Sequence, residues 1–416
     1  MIKLTGSSLT VNDIYITIKR KGAESPTFTA SKYGTLKIGI VCYPTFGGSG
    51  VMATELGMAL SQKGHEVHFI TYQQPVRLHF HPNIYYHEVT VPTYPLFDFP
   101  PYESALTSTL VNVIANNGLD LLHVHYAIPH ASAAYFARQI LRKMGKDVPF
   151  ITTLHGTDIT LVGKDATYAP VVAFSINESD AITAVSEHLR AETFASFSIE
   201  KEIEVIPNFV DIDRFRQTDK EHFKKMLAPN NERILVHVSN FRKVKRVDDV
   251  IKVFAKVSKQ LPSKLLMIGD GPERQHAEEL CRSLGIYHDV RFLGKQEQMD
   301  EILSIADLFL LTSQYESFGL AALEAMACAV PVISTNAGGI PEINVHGLTG
   351  YLSDVGDVDD MAHHALYLLS DEKRLEQAKD AALEQARKFE KSKIIPYYED
   401  LYEQVLNAYI QKPPCP

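Results

Sequence analysis

Leu308-Phe-Leu-Leu-Thr-Ser-Gln-Tyr-Glu-Ser-Phe-Gly-Leu-Ala-Ala-Leu-Glu324 sets a short apolar run against a loop and then a second apolar run. Leu308 to Leu311 has the length and character of a buried strand. After Gly319 come helix-forming residues with no polar position except Glu324. Strand, loop and helix, with the helix starting near Phe318, make the repeating unit of an α/β protein with a parallel sheet. Glu316 then stands in the loop beside the helix N-terminus, and Glu324 lies about one and a half turns inside. A helix N-terminus offers free N–H groups and partial positive charge, which suits a phosphate. Ionised carboxylates are costly to bury unless paired or hydrogen-bonded. Two of them bracketing a phosphate site suit a ligand with hydroxyls on both sides of its phosphates, as in a nucleotide sugar. The plainer reading makes Glu316 a solvated loop residue and Glu324 a salt-bridged helix residue, because acidic side chains are mostly at the surface.

The same alternation extends in both directions. Leu36-Lys-Ile-Gly-Ile-Val-Cys42 reads as a buried strand, Tyr43-Pro-Thr-Phe-Gly-Gly-Ser-Gly50 as a glycine-rich turn, 51–62 as a helix ended by Gly64, and 67–71 as the next strand. Apolar segments at 119–125, 150–154, 181–185 and 203–206 continue the pattern, separated mostly by helical runs. Pro207-Asn-Phe-Val-Asp-Ile-Asp-Arg-Phe215 reads as a crossing, after which strands at 234–239, 264–269, 290–293, 308–311 and 330–334 repeat it. The expectation is two Rossmann-like α/β domains facing each other, at 36–207 and 208–393. Residues 1–35 are expected to be a polar leader outside the fold.

Composition sets limits. The 416 residues exceed one ordinary core, and 45% hydrophobic with 22% charged residues is usual for a soluble globular chain. A formal net charge of -9 disfavours non-specific nucleic-acid binding. No apolar run approaches a membrane span, and no secretory signal is evident; the expectation is a cytoplasmic protein with no membrane partner. Cys42, Cys281, Cys328 and Cys415 are scattered and form no zinc or disulfide pattern. The oligomeric state is open, and a homo-oligomer is allowed.

Four constellations bear chemistry. Gly47-Gly48-Ser49-Gly50 lets backbone N–H groups approach an anion, although many tight turns contain two glycines. It does not follow G-x-G-x-x-G, which disfavours a redox dinucleotide. Ser239-Asn-Phe-Arg-Lys-Val-Lys-Arg246 follows a strand and holds four cations, which either face a diphosphate or form a solvated basic loop. His155, at a strand's carboxyl end, faces the ligand crevice of an open sheet or is a structural histidine. His123 and His125, like His79 and His81, are spaced by two, but no third ligand joins either pair. The stretch Pro92-Thr-Tyr-Pro-Leu-Phe-Asp-Phe-Pro-Pro-Tyr102 is either a packed surface loop or a loop over an acceptor site.

The Glu316/Glu324 spacing, the Ser317-Phe-Gly-Leu320 core and the continuation Pro331-Val-Ile-Ser-Thr-Asn-Ala-Gly-Gly-Ile-Pro-Glu342 together resemble the E-x7-E signature of the family 4 retaining glycosyltransferases. The resemblance implies the GT-B fold, no metal and no cofactor, and a last helix (394–411) packed back on the first domain. It places Gly47 to Gly50 over the donor diphosphate and acceptor. Glu316 would accept from the donor sugar, aided by backbone N–H groups of Phe318, Gly319 and Leu320, and Glu324 from the ribose. The base would lie near 269–271 and 291–295, including Leu293. His155 would hydrogen-bond the sugar and stabilise developing positive charge through its carbonyl. The family's Gly-Arg and following Lys fall on Asn240 and Lys245; the arginine is missing, and Arg242 is the candidate replacement. His125 and Tyr126 resemble the acceptor-side pair.

Cys42 to Val51, His123 to Ala131 and Leu154 to Gly163 further resemble the branch that, in bacillithiol biosynthesis, moves N-acetylglucosamine from UDP-GlcNAc to the hydroxyl of L-malate. A dicarboxylate acceptor needs cations or N–H groups, for which Arg77 and the Gly47–Gly50 turn are candidates. The rivals are an acceptor other than malate, a UDP-GlcNAc epimerase, against which the intact E-x7-E argues, and a non-catalytic nucleotide-sugar sensor, which the Asn240 departure alone supports.

Overall fold

The computed structural model describes residues 34–92, 98–161, 163, 165–218 and 220–411. Residues 1–33 of the expected leader, 93–97 of the Pro/aromatic stretch, and Cys415 lie outside the described residues.

The first sheet has seven strands: β1 (Lys37–Val41), β2 (Glu66–Thr71), β3 (Ile84–Glu88), β4 (Leu121–His125), β5 (Phe150–Leu154), β6 (Ala181–Ala184) and β7 (Ile203–Val205). Their order is β3-β2-β1-β4-β5-β6-β7, and every pairing is parallel. The second sheet has β8 (Arg233–Val238), β9 (Ser263–Ile268), β10 (Val290–Gly294), β11 (Leu308–Leu311), β12 (Val332–Thr335) and β13 (Gly350–Ser353). Its order, β10-β9-β8-β11-β12-β13, repeats the first in every step. Two doubly wound Rossmann-like units result, as the alternation predicts. Central strands such as β4 and β5 are buried at every position because helices cover both faces. The sequence reading did not include β3 and β13, which are edge strands whose mixed sequences Ile-Tyr-Tyr-His-Glu and Gly-Tyr-Leu-Ser carry no clear apolar run.

In this strand order the crevice opens where the order reverses, beyond the carboxyl ends of the central pair. That pair is β1 and β4 in one sheet and β8 and β11 in the other. The segments leaving these strands are Tyr43 onward, Tyr126, Ser239–Arg246 and Thr312–Gly319. They are the segments singled out for chemistry.

The chain passes between the sheets and returns close beside itself. Val210 N–H donates to Phe389 O at 2.9 Å, and Lys391 N–H to Val210 O at 3.0 Å. The last helix, Lys391–Ile410, then packs on the first sheet. Ile394, Ile395, Tyr398, Leu401 and Tyr402 join the buried cluster of Ile38, Ile40, Leu56 and Phe69. Among the described residues, no helix is long and apolar enough to cross a membrane.

Candidate active site

The loop between β11 and helix Leu320–Ala327 is shaped by glycines. The helix begins two residues later than the sequence suggests, because Gly319 adopts φ 92 and serves as its N-cap without a side-chain acceptor. Glu324 therefore lies just over one turn inside. The Gly338-Gly339 pair of the quoted continuation packs under the loop. A Cβ on Gly338 would lie 1.9 Å from Glu316 O and one on Gly339 2.3 Å from Ser317 O. Only glycine permits backbones this close, and Gly339 N–H donates to Glu316 O at 2.8 Å.

Glu316 Oε1 accepts from Lys245 Nζ at 2.5 Å and from Ser313 Oγ at 2.8 Å. Lys245 ends a short 3-10 turn, Lys243–Lys245. Thr312 Oγ1 lies 3.0 Å from both Lys245 O and Arg246 O, and Gln314 N–H donates to Val244 O at 2.7 Å. The cationic loop and the acidic loop are thus tied together by backbone contacts, and the Lys245–Glu316 pair sits at their junction.

The opposite wall belongs to the first sheet. Gly48, Ser49 and Gly50 form the first turn of helix Gly48–Gln62 instead of a free loop, with Gly47 as an N-cap lacking a side-chain hydrogen bond. A Cβ on Gly48 would stand 3.7 Å from Leu320 Cδ2, so this helix start meets the start of helix Leu320–Ala327 across the cleft. Tyr126 has φ 90, uncommon for a non-glycine residue and frequent at functional positions; its hydroxyl donates to Ser49 Oγ at 2.8 Å. His155 Nε2 lies 2.8 Å from His125 Nδ1. Gly156, at φ 112, would carry a Cβ 1.7 Å from Ser317 Oγ, so the two halves are in close contact here.

These walls enclose a cavity of about 940 Å³. Of the residues expected at the site, His155, Glu316, Lys245, Arg242, Gly47, Gly48, Ser49, Asn240, Phe318, Gly319, Leu320 and Tyr126 line it. Five do not. Gly50 is enclosed by the Tyr43 and Thr45 carbonyls, and Leu293 packs towards the core. His125 is 1% exposed and lies behind His155, stacked between it and His123, so its side chain is not on the acceptor wall. Glu324 is buried one helical turn behind Leu320, and Arg77 is paired to it at 2.9 Å instead of facing the cavity. The sequence reading missed Tyr43, Thr45, Asn208 and Tyr315 on the cavity wall, along with Thr157 and Asp158. The last two stand in the Leu154–Gly163 strip, where only His155 was given a role.

Burial decides the charges beneath this wall. It pushes His123 and His155 down to about 3 and His130 to about 4, and holds His125 well below the ordinary value, so all four are neutral near pH 7. His123 bonds Tyr402 Oη through Nδ1 (2.7 Å) and Thr153 Oγ1 through Nε2 (2.6 Å). Burial raises Asp158 to about 6, although its carboxylate accepts from the Ala127 and Gly156 N–H groups. Tyr126 is pushed up to about 12, again by burial, and remains a hydroxyl. Among the described residues, no three His, Cys, Asp or Glu side chains are grouped to hold a metal ion.

The family models agree with this architecture. Residues 46–214 match the model described as Glycosyltransferase Family 4, and residues 218–385 match Glycosyl transferases group 1. The N-acetyl-alpha-D-glucosaminyl L-malate synthase of Bacillus anthracis is 48% identical over 377 residues, 89% of this chain and 97% of that protein.

The chain belongs to the family 4 glycosyltransferases.

This glycosyltransferase is also 29% identical over 296 residues to a D-inositol 3-phosphate glycosyltransferase of Mycobacterium sp. (strain KMS), covering 66% of the chain and 65% of that protein. Among solved structures, sucrose-phosphate synthase from Thermosynechococcus elongatus superposes with a TM-score of 0.77 at 21% identity, over 90% of this chain and all of that one. Anabaena HepE in complex with UDP and glucose gives 0.74 at 18% identity, with the same coverage. These likenesses show the fold: the glycosyltransferase has the two-domain GT-B architecture, with its cavity between the facing units.

Proposed function

We propose that this glycosyltransferase moves N-acetylglucosamine from UDP-GlcNAc to the hydroxyl of L-malate with retention of configuration, the first step of bacillithiol biosynthesis. The observation that carries the reading is the 48% identity over 97% of the length of the Bacillus anthracis relative, a span that takes in both walls of the cavity.

The geometry supports a donor diphosphate between the two uncapped helix starts. Gly47 and Gly319 contribute no side-chain cap, so the first-turn N–H groups of both helices can meet an anion. Lys245 adds a point charge and Arg242 a guanidinium on the same wall. In this reading Arg242 serves where Asn240 replaces the expected arginine. Glu316, already accepting from Lys245 and Ser313, receives hydroxyls of the donor sugar, and Glu324 the ribose. Tyr126 and Ser49 face the acceptor.

In the reaction, the bond from the sugar's C1 to the diphosphate oxygen breaks as the malate hydroxyl oxygen bonds C1 on the same face. The hydroxyl proton passes to the departing phosphate oxygen. Lys245, Arg242 and the helix ends stabilise the diphosphate charge. The neutral His155, through its carbonyl, stabilises the positive charge developing on the sugar. Close approach of the two halves, seen at Gly156 and Ser317, excludes water that would otherwise hydrolyse the donor.

The test is UDP release from UDP-GlcNAc by the purified protein, with and without L-malate, in the presence of EDTA. Release that depends on malate and survives EDTA is the expected result. Release only with another acceptor would remove malate, and conversion of UDP-GlcNAc without an acceptor would indicate an epimerase. Tight UDP binding with no turnover on any acceptor would indicate a sensor.

A further inference from the structure

Arg77 and Glu324 stand 247 residues apart, yet Arg77 Nη1 lies 2.9 Å from Glu324 Oε1. Arg77 belongs to the segment after β2 in the first half, and Glu324 to helix Leu320–Ala327 in the second. Both side chains are largely out of water, 11% and 8% exposed. Arg77 holds φ 67, a left-handed backbone that a side-chain-bearing residue seldom adopts. Its guanidinium carbon lies 5.5 Å from the centroid of the buried Phe215 ring. Nη1 also stands 3.7 Å from Glu55 Oε1, and Glu55 in turn accepts from Arg214 Nη1 at 3.3 Å. The guanidinium is therefore fixed on several sides, and it takes one oxygen of Glu324.

An arginine so placed governs what a buried carboxylate can do next. A free glutamate in a helix samples several rotamers, and ordering it on a ligand costs entropy. A glutamate already held through Oε1 is largely ordered beforehand, so less of that cost falls on a ligand that reaches its other oxygen. A charge-assisted bond between opposing domains also ties the carboxylate's geometry to domain closure.

We propose that Arg77 is a positioning residue for the nucleoside half of the donor: it holds Glu324 by Oε1 and leaves Oε2 for the ribose hydroxyls, so that ribose recognition belongs to the closed cleft. The proposal rests on the reading of Glu324 as the ribose acceptor, and it moves Arg77 from the acceptor side, where the sequence put it, to the donor side. Because the two partners lie in opposite halves, donor binding and closure favour each other by linkage.

The experiment compares kcat/KM for UDP-GlcNAc with that for an analogue lacking both ribose hydroxyls, at saturating L-malate, in the parent, Glu324→Gln, Arg77→Gln and Arg77→Lys. Arg77→Gln should lose roughly 10- to 100-fold on UDP-GlcNAc, mainly through KM, and change by less than about threefold on the analogue. Arg77→Lys, which keeps the charge but not the fork, should lie between, and it carries the same test where Arg77→Gln does not fold. An equal loss on both donors, or no loss, would overturn the proposal. If the parent discriminates between the donors and Glu324→Gln abolishes that discrimination while Arg77→Gln retains it in full, the ribose reading stands and the role of Arg77 falls. If the parent treats both donors alike, the ribose reading itself fails and takes the proposal with it.

Discussion

Three helices start at the boundary between the halves of this glycosyltransferase, and their first turns are completed in two different ways. Helices Gly48–Gln62 and Leu320–Ala327 begin after glycines that supply no side-chain acceptor, and both open on the cavity. Helix Glu187–Ser196 begins after Ser186, whose hydroxyl accepts from Leu189 N–H. Its first two N–H groups, of Glu187 and His188, donate to the Glu342 carboxylate at 3.1 and 2.9 Å. Ser186 Oγ also donates to Ser317 O at 2.6 Å. The helix belongs to the first half, while Glu342 and Ser317 belong to the second. The same backbone chemistry is thus used twice: without a side-chain cap it is where the proposed function puts the donor diphosphate; closed by a carboxylate from the opposite half, it becomes a clasp. Orphan N–H groups destabilise a helix unless something satisfies them, so under the proposed function the uncapped ends give up stability for binding.

The largest test of this contrast lies at the open ends. Lys245→Ala removes a cation from the wall of the same cavity, and turnover should fall by roughly 10²–10³-fold, as when one charge-stabilising group is lost, with little movement of the melting temperature. Steady-state UDP release beside a thermal melt reads both, and a turnover near that of the parent would remove Lys245 from the mechanism. At the closed end the balance should reverse. Glu342→Ala strips two backbone donors of their acceptor and should lower the unfolding free energy by about 1–3 kcal/mol, read as a lower urea midpoint. An unchanged midpoint would mean that water caps this helix equally well.

Acid probes the uncharged floor under the open ends. His123, His125, His130 and His155 all have depressed values in the folded protein, so the unfolded chain binds more protons below the ordinary 6.5. Their contribution to stability is complete above that value and is lost as pH falls, towards about 3 for His123 and His155 and about 4 for His130, by up to ~1.4 kcal/mol per unit for each group. Asp158, raised to about 6, acts oppositely: its contribution is present below its ordinary value of 3.8 and is lost as pH rises through about 6. With one carboxyl against four imidazoles, the urea midpoint should drop between about pH 7 and about pH 5; a flat or rising midpoint would contradict a neutral floor. The smallest effect sharpens the comparison most. Gly47→Asp gives an open end the cap it lacks, at a backbone conformation that suits one (φ -67, ψ 151). It should raise stability by only a few tenths of a kcal/mol while weakening UDP binding measured by calorimetry, because a fixed carboxylate then occupies the anion's place.

The sequence disclosed what is local. Periodicity located the central strands within one or two residues, since strands covered on both faces must be apolar throughout. The loops that line the cavity followed from their place at strand ends. Edge strands β3 and β13 did not show, because Ile-Tyr-Tyr-His-Glu and Gly-Tyr-Leu-Ser carry no clear apolar run. Cross-domain partnerships were equally hidden. Nothing near Arg77 announces Glu324, and nothing in Gly-Gly-Ile-Pro-Glu342 announces a helix start some 150 residues earlier (the contacts span 154 and 155 residues). His125 shows a third limit. Alternation correctly put His123 and His125 on one face of β4, but it could not say that the last helix covers that face at His123, through Tyr398 and Tyr402.

That last helix has a consequence for the order of events in synthesis. Lys391–Ile410 completes the core of the first sheet, which is made from the beginning of the chain. While the ribosome works through the second sheet, the faces of Ile38, Ile40 and His123 that await Tyr398 and Tyr402 remain uncovered, so the domain translated first is the one finished last. A nascent chain stalled before residue 391 should therefore bind chaperones through its oldest part, and its second sheet should resist protease sooner than its first.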